Sequence, residues 1–250
     1  MRRPASYAIC GTPRSGSTLL CRLLAATGVA GRPESFFHQE SFADYVRRWN
    51  LPPPKAPGDA GFDRAFLAAM RREGAGDTGV FGLRIMWPSV VDAAERLGGA
   101  GPADFPARFE AGFGPAVFVH LSRLDKLAQA ISLLRARQSG LWHLAADGTV
   151  IEGVERPSPV AYDGAQIGAL VEELEAHDAA WVRLFADAGI EPLRLTYEVL
   201  TADPRSALAA ILSALGRDPA LAAAAQVGTA RMADRTSRLW ASRFRQEAAR

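Results

Sequence analysis

The residue types best suited to chemistry lie near the start of the chain, in residues 11–18 (GTPRSGST). Small residues let successive backbone N–H groups converge on an anion, and Arg14 is the only cation within the turn. The glycines and Thr18 have Walker A spacing, but Ser17 replaces the lysine that normally reaches the β- and γ-phosphates. The segment therefore predicts a loop that holds a phosphate-like group, because an ordinary strand-to-helix turn needs neither the serines nor the arginine. The expected binding residues are Arg14, Ser15, Gly16, Ser17 and Thr18.

The elements around this loop predict an α/β fold. A short apolar run precedes the loop, as in a buried strand, and apolar residues at helical spacing follow it. Further strands are expected at residues 80–87, 115–123 and 192–198, each separated from the next by a helical pattern. We therefore predict a P-loop-like, open, mainly parallel sheet flanked by helices, in a single domain over residues 1–250. We also expect a loop insertion at about 38–79 and a loop on the acceptor side at about 141–165.

Composition limits the classes of partner. The chain has 250 residues, 48% hydrophobic and 22% charged, and a net charge of +2, which gives no argument for bulk attraction to nucleic acid or membrane. Cys10 and Cys21 fit buried thiols in a reducing compartment better than a disulfide. No apolar run approaches the length of a membrane span, and the first strand leaves no room for a signal peptide. We expect a cytoplasmic protein with no nucleic-acid partner and no membrane span.

Two absences weaken the case for nucleoside triphosphate hydrolysis. The loop lacks its lysine, and the third strand ends in Ser122-Arg123 instead of a magnesium-binding aspartate. No metal-ligand cluster is present in the sequence, so we expect no metal. These features favour an enzyme that uses a donor nucleotide whose group is transferred without a bound metal ion. The alternative is a degenerate P-loop small-molecule kinase.

A second group of chemically active residues follows the first helix. Residues 34–40 (ESFFHQE) combine carboxylates, aromatic rings and a histidine, which would suit a sugar- or alcohol-binding wall with a general base. The alternative is a loop anchored by Phe36 and Phe37 with solvated charges.

Arg84 lies inside a predicted strand, where a cation needs a partner or a ligand. Near the carboxyl end, Arg231, Arg235 and Arg238 share one helix face that is either solvated or binds anionic oxygens.

Several blocks of the chain resemble the bacterial trehalose 2-sulfotransferase family. They are residues 12–20 (TPRSGSTLL), 26–37 (ATGVAGRPESFF), 82–87, 123–142 with its QAIS motif, and the tail from Ala233-Asp234 to Phe244. The resemblance implies the donor 3′-phosphoadenosine-5′-phosphosulfate (PAPS) and transfer of its sulfuryl group to a carbohydrate hydroxyl. It implies that the loop holds the 5′-phosphosulfate, with Arg14 stabilising the leaving phosphate. Arg123 and Ser132 would bind the 3′-phosphate, and Arg235 would close over the nucleotide. A homodimer is also implied.

The chain departs from the family at the expected general base. The family has a glutamate directly before the aromatic pair, whereas this chain has Ser35 there and Glu34 one residue earlier. We predict Glu34 as the catalytic base, with His38 or Glu40 as substitutes, and a non-catalytic nucleotide-binding protein as a further alternative. The sequence leaves four candidates for the acceptor: trehalose, another glycan, a lipid-linked sugar and a small alcohol. The residues expected to contact it are Phe36, Phe37, His38, Arg84, Trp87 and Trp142.

Overall fold

The computed structural model describes residues 4–56, 58–144, 149–225 and 235–248. Its main sheet has four parallel strands in the order β2-β1-β3-β6, and a separate pair, β4 and β5, is antiparallel. The strands are β1 (Ser6–Gly11), β2 (Phe81–Met86), β3 (Ala116–Ser122), β4 (Leu141–Leu144), β5 (Val150–Gly153) and β6 (Leu193–Thr196). The α-helices are α1 (Ser17–Ala26), α2 (Gln39–Arg48), α3 (Ala60–Ala75), α4 (Val90–Arg96), α5 (Phe105–Phe113), α6 (Lys126–Ser139), α7 (Gly164–Asp187), α8 (Tyr197–Ala202), α9 (Pro204–Ala214) and α10 (Arg235–Ala248).

Strand β1 is central because both of its neighbours pair with it along its full length. Every residue of β1 is buried, as expected for a strand covered by helices on both faces. One face packs against an aromatic-rich core from α2 to α5 and α7, and the other packs against α1 and α9. A third cluster joins α6, α7 and α10. The predicted α/β fold with a mainly parallel sheet is confirmed.

The carboxyl end of β1 leads directly into the loop that the sequence analysis singled out. In an open parallel sheet this edge is where ligands bind, because the strand-to-helix turns converge there. Helix α7 crosses the same edge, and the indole Nε1 of Trp181 donates to the carbonyl of Gly11 at 2.9 Å. The loop is therefore anchored at its first residue by a fully buried side chain.

Two expected loops contain regular structure. Within residues 38–79 the chain forms α2 and α3, and within residues 141–165 it forms β4 and β5, with residues 145–148 outside the described part. Trp142 and His143 lie in β4, so the expectation of a loop at these two residues is wrong. The sequence pattern for this strand is weak, because β4 has only four residues and pairs irregularly with β5.

Phe36 and Phe37 correct a second expectation. Their side chains are 0% and 2% exposed, and the ring of Phe36 lies 5.3 Å from that of Tyr45 and 6.2 Å from that of Phe81. Such rings belong to the hydrophobic core, where burial of an aromatic side chain stabilises the fold. They do not form an acceptor-binding wall, and the alternative of a loop anchored by these two rings is the correct one.

The two cysteines are buried free thiols, as the sequence predicted: Cys10 lies in β1 and Cys21 in α1. Burial raises the pKa of both thiols, to about 12 for Cys21. Both are therefore inert, small apolar residues at physiological pH. Across the helices that the structure describes, none has the length and apolar character needed to cross a membrane.

Candidate active site

The loop between β1 and α1 has the backbone geometry of an anion cradle. Arg14 and Gly16 have left-handed φ angles of 65° and 86°. A Cβ on Gly16 would lie 2.7 Å from the ring of Tyr197, so glycine is needed there for both space and conformation. Gly16 also leaves the first turn of α1 without a side-chain cap. The hydroxyl of Ser15 is buried and has no hydrogen-bond partner, which indicates a ligand-facing group.

Helix α6 fixes the shape of this loop through Gln129. The amide Nε2 of this fully buried side chain donates to Thr12 Oγ1 at 2.9 Å and to the carbonyl of Pro13 at 2.7 Å. Thr12 in turn donates to Asp178 Oδ1 at 3.2 Å, and Lys126 forms an ion pair with the same carboxylate. The loop is thereby tied to both α6 and α7.

This brace gives a first prediction. Gln129→Leu keeps the side-chain volume but removes three hydrogen bonds, one of them accepted from Lys126. It leaves Thr12 and the Pro13 carbonyl short of a donor in a buried site. We expect the free energy of unfolding to fall by about 2 kcal/mol and nucleotide affinity to fall with it. Chemical denaturation and calorimetry measure the two effects. Gln138→Leu near the end of the same helix is the matched control, because it loses two solvent-exposed hydrogen bonds with the backbone of Ala161. Equal effects in the two variants would contradict the bracing role.

The Arg14 side chain spans from the loop to α6 and β4. Its Nε donates to Ser132 Oγ at 3.0 Å, and its Nη1 donates to the carbonyl of Trp142 and lies 3.3 Å from Nε2 of His143. Burial lowers the pKa of Arg14 to about 10, an effect that the carboxylate of Glu152 opposes, so the guanidinium is charged at neutral pH. The partners within hydrogen-bond reach are a hydroxyl, a carbonyl and an imidazole, and none of them neutralises the charge.

Two further arginines face the same loop from neighbouring elements. Arg84 in β2 donates to Thr18 Oγ1 and to Ser35 Oγ, both at 2.6 Å. Arg22, one helical turn after Thr18, has a buried Nη1 without a hydrogen-bond partner. Within the described ranges, no carboxylate lies within ion-pair distance of Arg14, Arg22 or Arg84. Clustered cations that lack counter-charges make a strong anion site, because a bound anion supplies the missing charge.

Arg123 approaches the loop from the end of β3. Its Nη1 donates to the carbonyl of Arg14 at 3.3 Å, and its guanidinium lies 4.4 Å from the ring centre of Tyr197. Glu198 accepts hydrogen bonds from the backbone N–H groups of Leu124 and Asp125. The structure therefore brings both predicted 3′-phosphate residues into contact with Arg14: Arg123 with its carbonyl and Ser132 with its side-chain Nε.

The sequence analysis missed several of these neighbours. Arg22, Gln129, His143 and Tyr197 all contact or face the loop, and none was predicted to belong to the site. Arg22 could have been found, because four residues after Thr18 is the same face of a helix. The others come from distant parts of the chain, and only the tertiary structure shows them together.

Glu34 and Ser35 point to different neighbours. The hydroxyl of Tyr45 donates to Glu34 Oε2 at 3.0 Å, and Arg48 lies 3.4 Å from the same oxygen. Burial and the Glu34 carboxylate raise the pKa of Tyr45, so this phenol stays protonated and donates. Ser35, in the position of the family's glutamate, is the residue that reaches the loop side through Arg84.

The remaining predicted residues lie farther from the loop contacts. His38 precedes α2, with Nδ1 3.3 Å from Ser41 Oγ, and Trp87 packs edge-on against Trp181 at 5.1 Å. The ring of Trp142 packs against the α6–α7–α10 cluster, so only its carbonyl contacts Arg14. Arg235 begins α10 and is exposed. Arg231 and Ala233-Asp234 lie outside the described residues.

Comparison with known proteins agrees with this arrangement. The family of Stf0 sulphotransferases matches residues 6–247. Trehalose 2-sulfotransferases from Mycobacterium tuberculosis (strain ATCC 35801 / TMC 107 / Erdman) and Mycolicibacterium smegmatis (strain ATCC 700084 / mc(2)155) are 32% and 31% identical to the chain. The alignments cover 98% and 99% of this chain and 96% and 97% of those proteins. A solved sulfotransferase domain from the curacin biosynthetic pathway shares the fold, with a TM-score of 0.51 and 15% identity over 100% of this chain and 99% of that one.

The protein is therefore a sulfotransferase, an enzyme that transfers a sulfuryl group. More particularly, the chain belongs to the Stf0 sulphotransferase family. The comparisons give no support to the kinase alternative. They support an enzyme and not the alternative of a non-catalytic nucleotide-binding protein.

Proposed function

We propose that the protein transfers the sulfuryl group of PAPS to a hydroxyl of a carbohydrate, with trehalose or a related glycan as the acceptor. The observation that carries this proposal is the set of arginines around the loop, since Arg14, Arg22 and Arg84 lack a neutralising carboxylate among the described residues. PAPS carries negative charge at both its 5′-phosphosulfate and its 3′-phosphate. The similarity to two proteins named trehalose 2-sulfotransferase supports the choice of acceptor class.

The residues present fit such a donor. The backbone of residues 14–18, the unpartnered hydroxyl of Ser15 and the side chain of Thr18 would hold the phosphosulfate, with Arg14 adding the charge. Arg123 and Ser132 would hold the 3′-phosphate, a role for which arginine's forked donors are well suited. Arg235 would close over the nucleotide from the start of α10.

When bound, the donor supplies the activated sulfuryl group and a phosphate as the leaving group. Arg14 stabilises the charge that develops on that phosphate, and its fixed position means that no reorganisation is needed during the reaction. Thr18, held by Arg84, and Ser35 orient the acceptor side of the loop. Holding the acceptor hydroxyl in line with the breaking bond supplies a large part of the rate enhancement.

The test is turnover with purified protein. PAPS is offered with a panel of acceptors that contains trehalose, other disaccharides, a glycolipid and a small alcohol, and release of adenosine 3′,5′-bisphosphate is measured together with the mass of the product. We expect a mass gain of one sulfuryl group on a carbohydrate acceptor. Phosphoryl transfer from ATP–Mg²⁺, or transfer only to the small alcohol, would contradict the proposal.

Two further assignments belong to the same proposal. A cytoplasmic location is supported by the buried free thiols of Cys10 and Cys21. A homodimer is supported only by the family resemblance, and sedimentation of the purified protein measures it.

A further inference from the structure

A directed chain of hydrogen bonds runs from β2 across the loop to His143 in β4. Arg84 donates to Thr18 Oγ1 at 2.6 Å, and Thr18 Oγ1 lies 2.9 Å from Nε2 of His143. Because the hydroxyl already accepts from Arg84, its single hydrogen is available to the imidazole. Nε2 of His143 is then the acceptor and the ring hydrogen is on Nδ1. In the free protein the lone pair of the neutral imidazole therefore accepts the hydrogen of Thr18, on the side of the phosphate loop.

The surroundings keep this imidazole neutral. Burial, together with the charges of Arg14 from the loop, Arg84 from β2 and Arg22 from α1, lowers the pKa of His143 to about 3. The one carboxylate facing the ring in the described residues is that of Glu152, in the paired strand β5, with Oε2 3.7 Å from Nε2. At that separation, and beside three guanidinium groups, the contact is not an ion pair in the free protein.

The carboxylates near the loop have other partners. Glu34 is bound by Tyr45 and lies near Arg48, and Asp178 pairs with Lys126. His143 is a neutral acceptor that contacts Thr18, on the loop's helix side, whereas Asp178 contacts the loop at Thr12 and is already paired with Lys126. Glu152 faces the same Nε2 of His143 and is 43% exposed.

We propose that His143 is the general base of the reaction, taking the place of the glutamate that Ser35 replaces, and that Glu152 passes the proton on to solvent. The inference rests on the proposed function. In the step, the acceptor hydroxyl takes the place of the Thr18 hydroxyl at Nε2 of His143. The acceptor O–H bond then breaks and its proton moves to Nε2, while the oxygen forms a bond to sulfur. The bond between sulfur and the nucleotide's phosphate oxygen breaks, and its electron pair stays on that phosphate.

The same arrangement couples the imidazole to the nucleotide. Negative charge bound at the loop offsets Arg14, Arg22 and Arg84, which are the groups that oppose a charged imidazole. Binding therefore raises the pKa of His143, and the complex binds more protons than the free protein. The affinity of the wild type should therefore rise, relative to that of a protein without this imidazole, as the pH falls from 7 to 5.

The first test measures this coupling without catalysis. Adenosine 3′,5′-bisphosphate is titrated into wild type, His143→Gln and His177→Gln in buffers of different ionisation enthalpy. The phosphates of the probe titrate equally in all three proteins, so the difference between them reports the histidine. We expect wild type and H177Q to take up more protons than H143Q at pH 5 to 6. Equal uptake by all three proteins overturns the proposal, and His143→Asn takes the place of H143Q in the comparison if H143Q folds poorly.

The second test separates proton transfer from positioning. H143Q should lower kcat by about 100-fold or more, and the acidic limb of the pH profile of kcat should disappear. The dissociation constant of the bisphosphate at pH 8 should change by less than about threefold, since the imidazole is neutral there with or without the nucleotide. His143→Asn is the second variant, with H177Q as the control.

Three results would overturn the proposal: H143Q that keeps its kcat, H143Q that loses nucleotide affinity as much as activity, or Glu34→Gln that loses activity while H143Q does not. Failure of the proposed function is distinguishable, because wild type itself would then transfer no sulfuryl group.

Discussion

Replacing Arg14 with alanine is expected to lower kcat/KM for PAPS by about 10³-fold. The guanidinium is buried, is held in place by Ser132 and by the carbonyl of Trp142, and has no ion-pair partner in the described part of the chain. A pre-positioned charge of this kind stabilises the leaving phosphate more in the transition state than in the ground state. Steady-state kinetics at saturating acceptor measures the loss.

Arg14→Lys is the matched control for charge. Lysine keeps the positive charge but loses the forked geometry that reaches Ser132 and the Trp142 carbonyl together. We expect its activity to fall between wild type and the alanine variant, with the thermal melt of each variant confirming that it is folded. An alanine variant within about tenfold of wild type would remove Arg14 from the proposed transition-state role.

Arg123→Ala is expected to weaken binding of adenosine 3′,5′-bisphosphate by about 1.5–3 kcal/mol, or about 10- to 150-fold in the dissociation constant. The side chain lies over the Tyr197 ring and contacts the loop backbone, so it is already oriented before the nucleotide binds. Its partner in the proposal is a phosphate with two negative charges, which gives a strong, charge-assisted hydrogen bond. Isothermal calorimetry measures the change.

The specificity of that effect is tested with a second ligand. Adenosine 5′-phosphosulfate lacks the 3′-phosphate, so its affinity should be nearly the same in wild type and Arg123→Ala. Arg47→Ala, whose side chain is 73% exposed on α2, serves as the control for a general loss of positive charge. An Arg123→Ala protein with unchanged bisphosphate affinity would rule out contact with the 3′-phosphate.

The sequence predicted the architecture well because strong local signals agreed with one another. The apolar run of β1 and the loop spacing each have a local physical cause. The apolar residues of 166–188 recur at helical spacing and predict one long helix, and the observed α7 differs from that range by two residues at its start and one at its end. Asp203 followed by Pro204 is the pattern of an N-cap and a first helical residue, and the Asp203 side chain caps α9 by accepting from the backbone of Ser206.

The site was only partly predictable because its residues come from many separate elements of the chain. Local spacing identified the loop, and the resemblance added Arg123 and Ser132. Nothing local indicates that Gln129 would brace the Pro13 carbonyl or that His143 would reach Thr18, since these pairs are separated by 116 and 125 positions. The aromatic pair Phe36-Phe37 misled for the same reason, because a ring in the core and a ring at a binding surface have the same sequence pattern.

The central claim is that a lysine-free loop and its arginines bind an adenine nucleotide with a 3′-phosphate and need no divalent ion. Calorimetric titration of the purified protein with adenosine 3′,5′-bisphosphate in EDTA, compared with ATP plus Mg²⁺, tests it most directly. The account predicts saturable 1:1 binding of the bisphosphate in EDTA and much weaker binding of ATP–Mg²⁺. Tight binding of ATP–Mg²⁺ with no binding of the bisphosphate would contradict it.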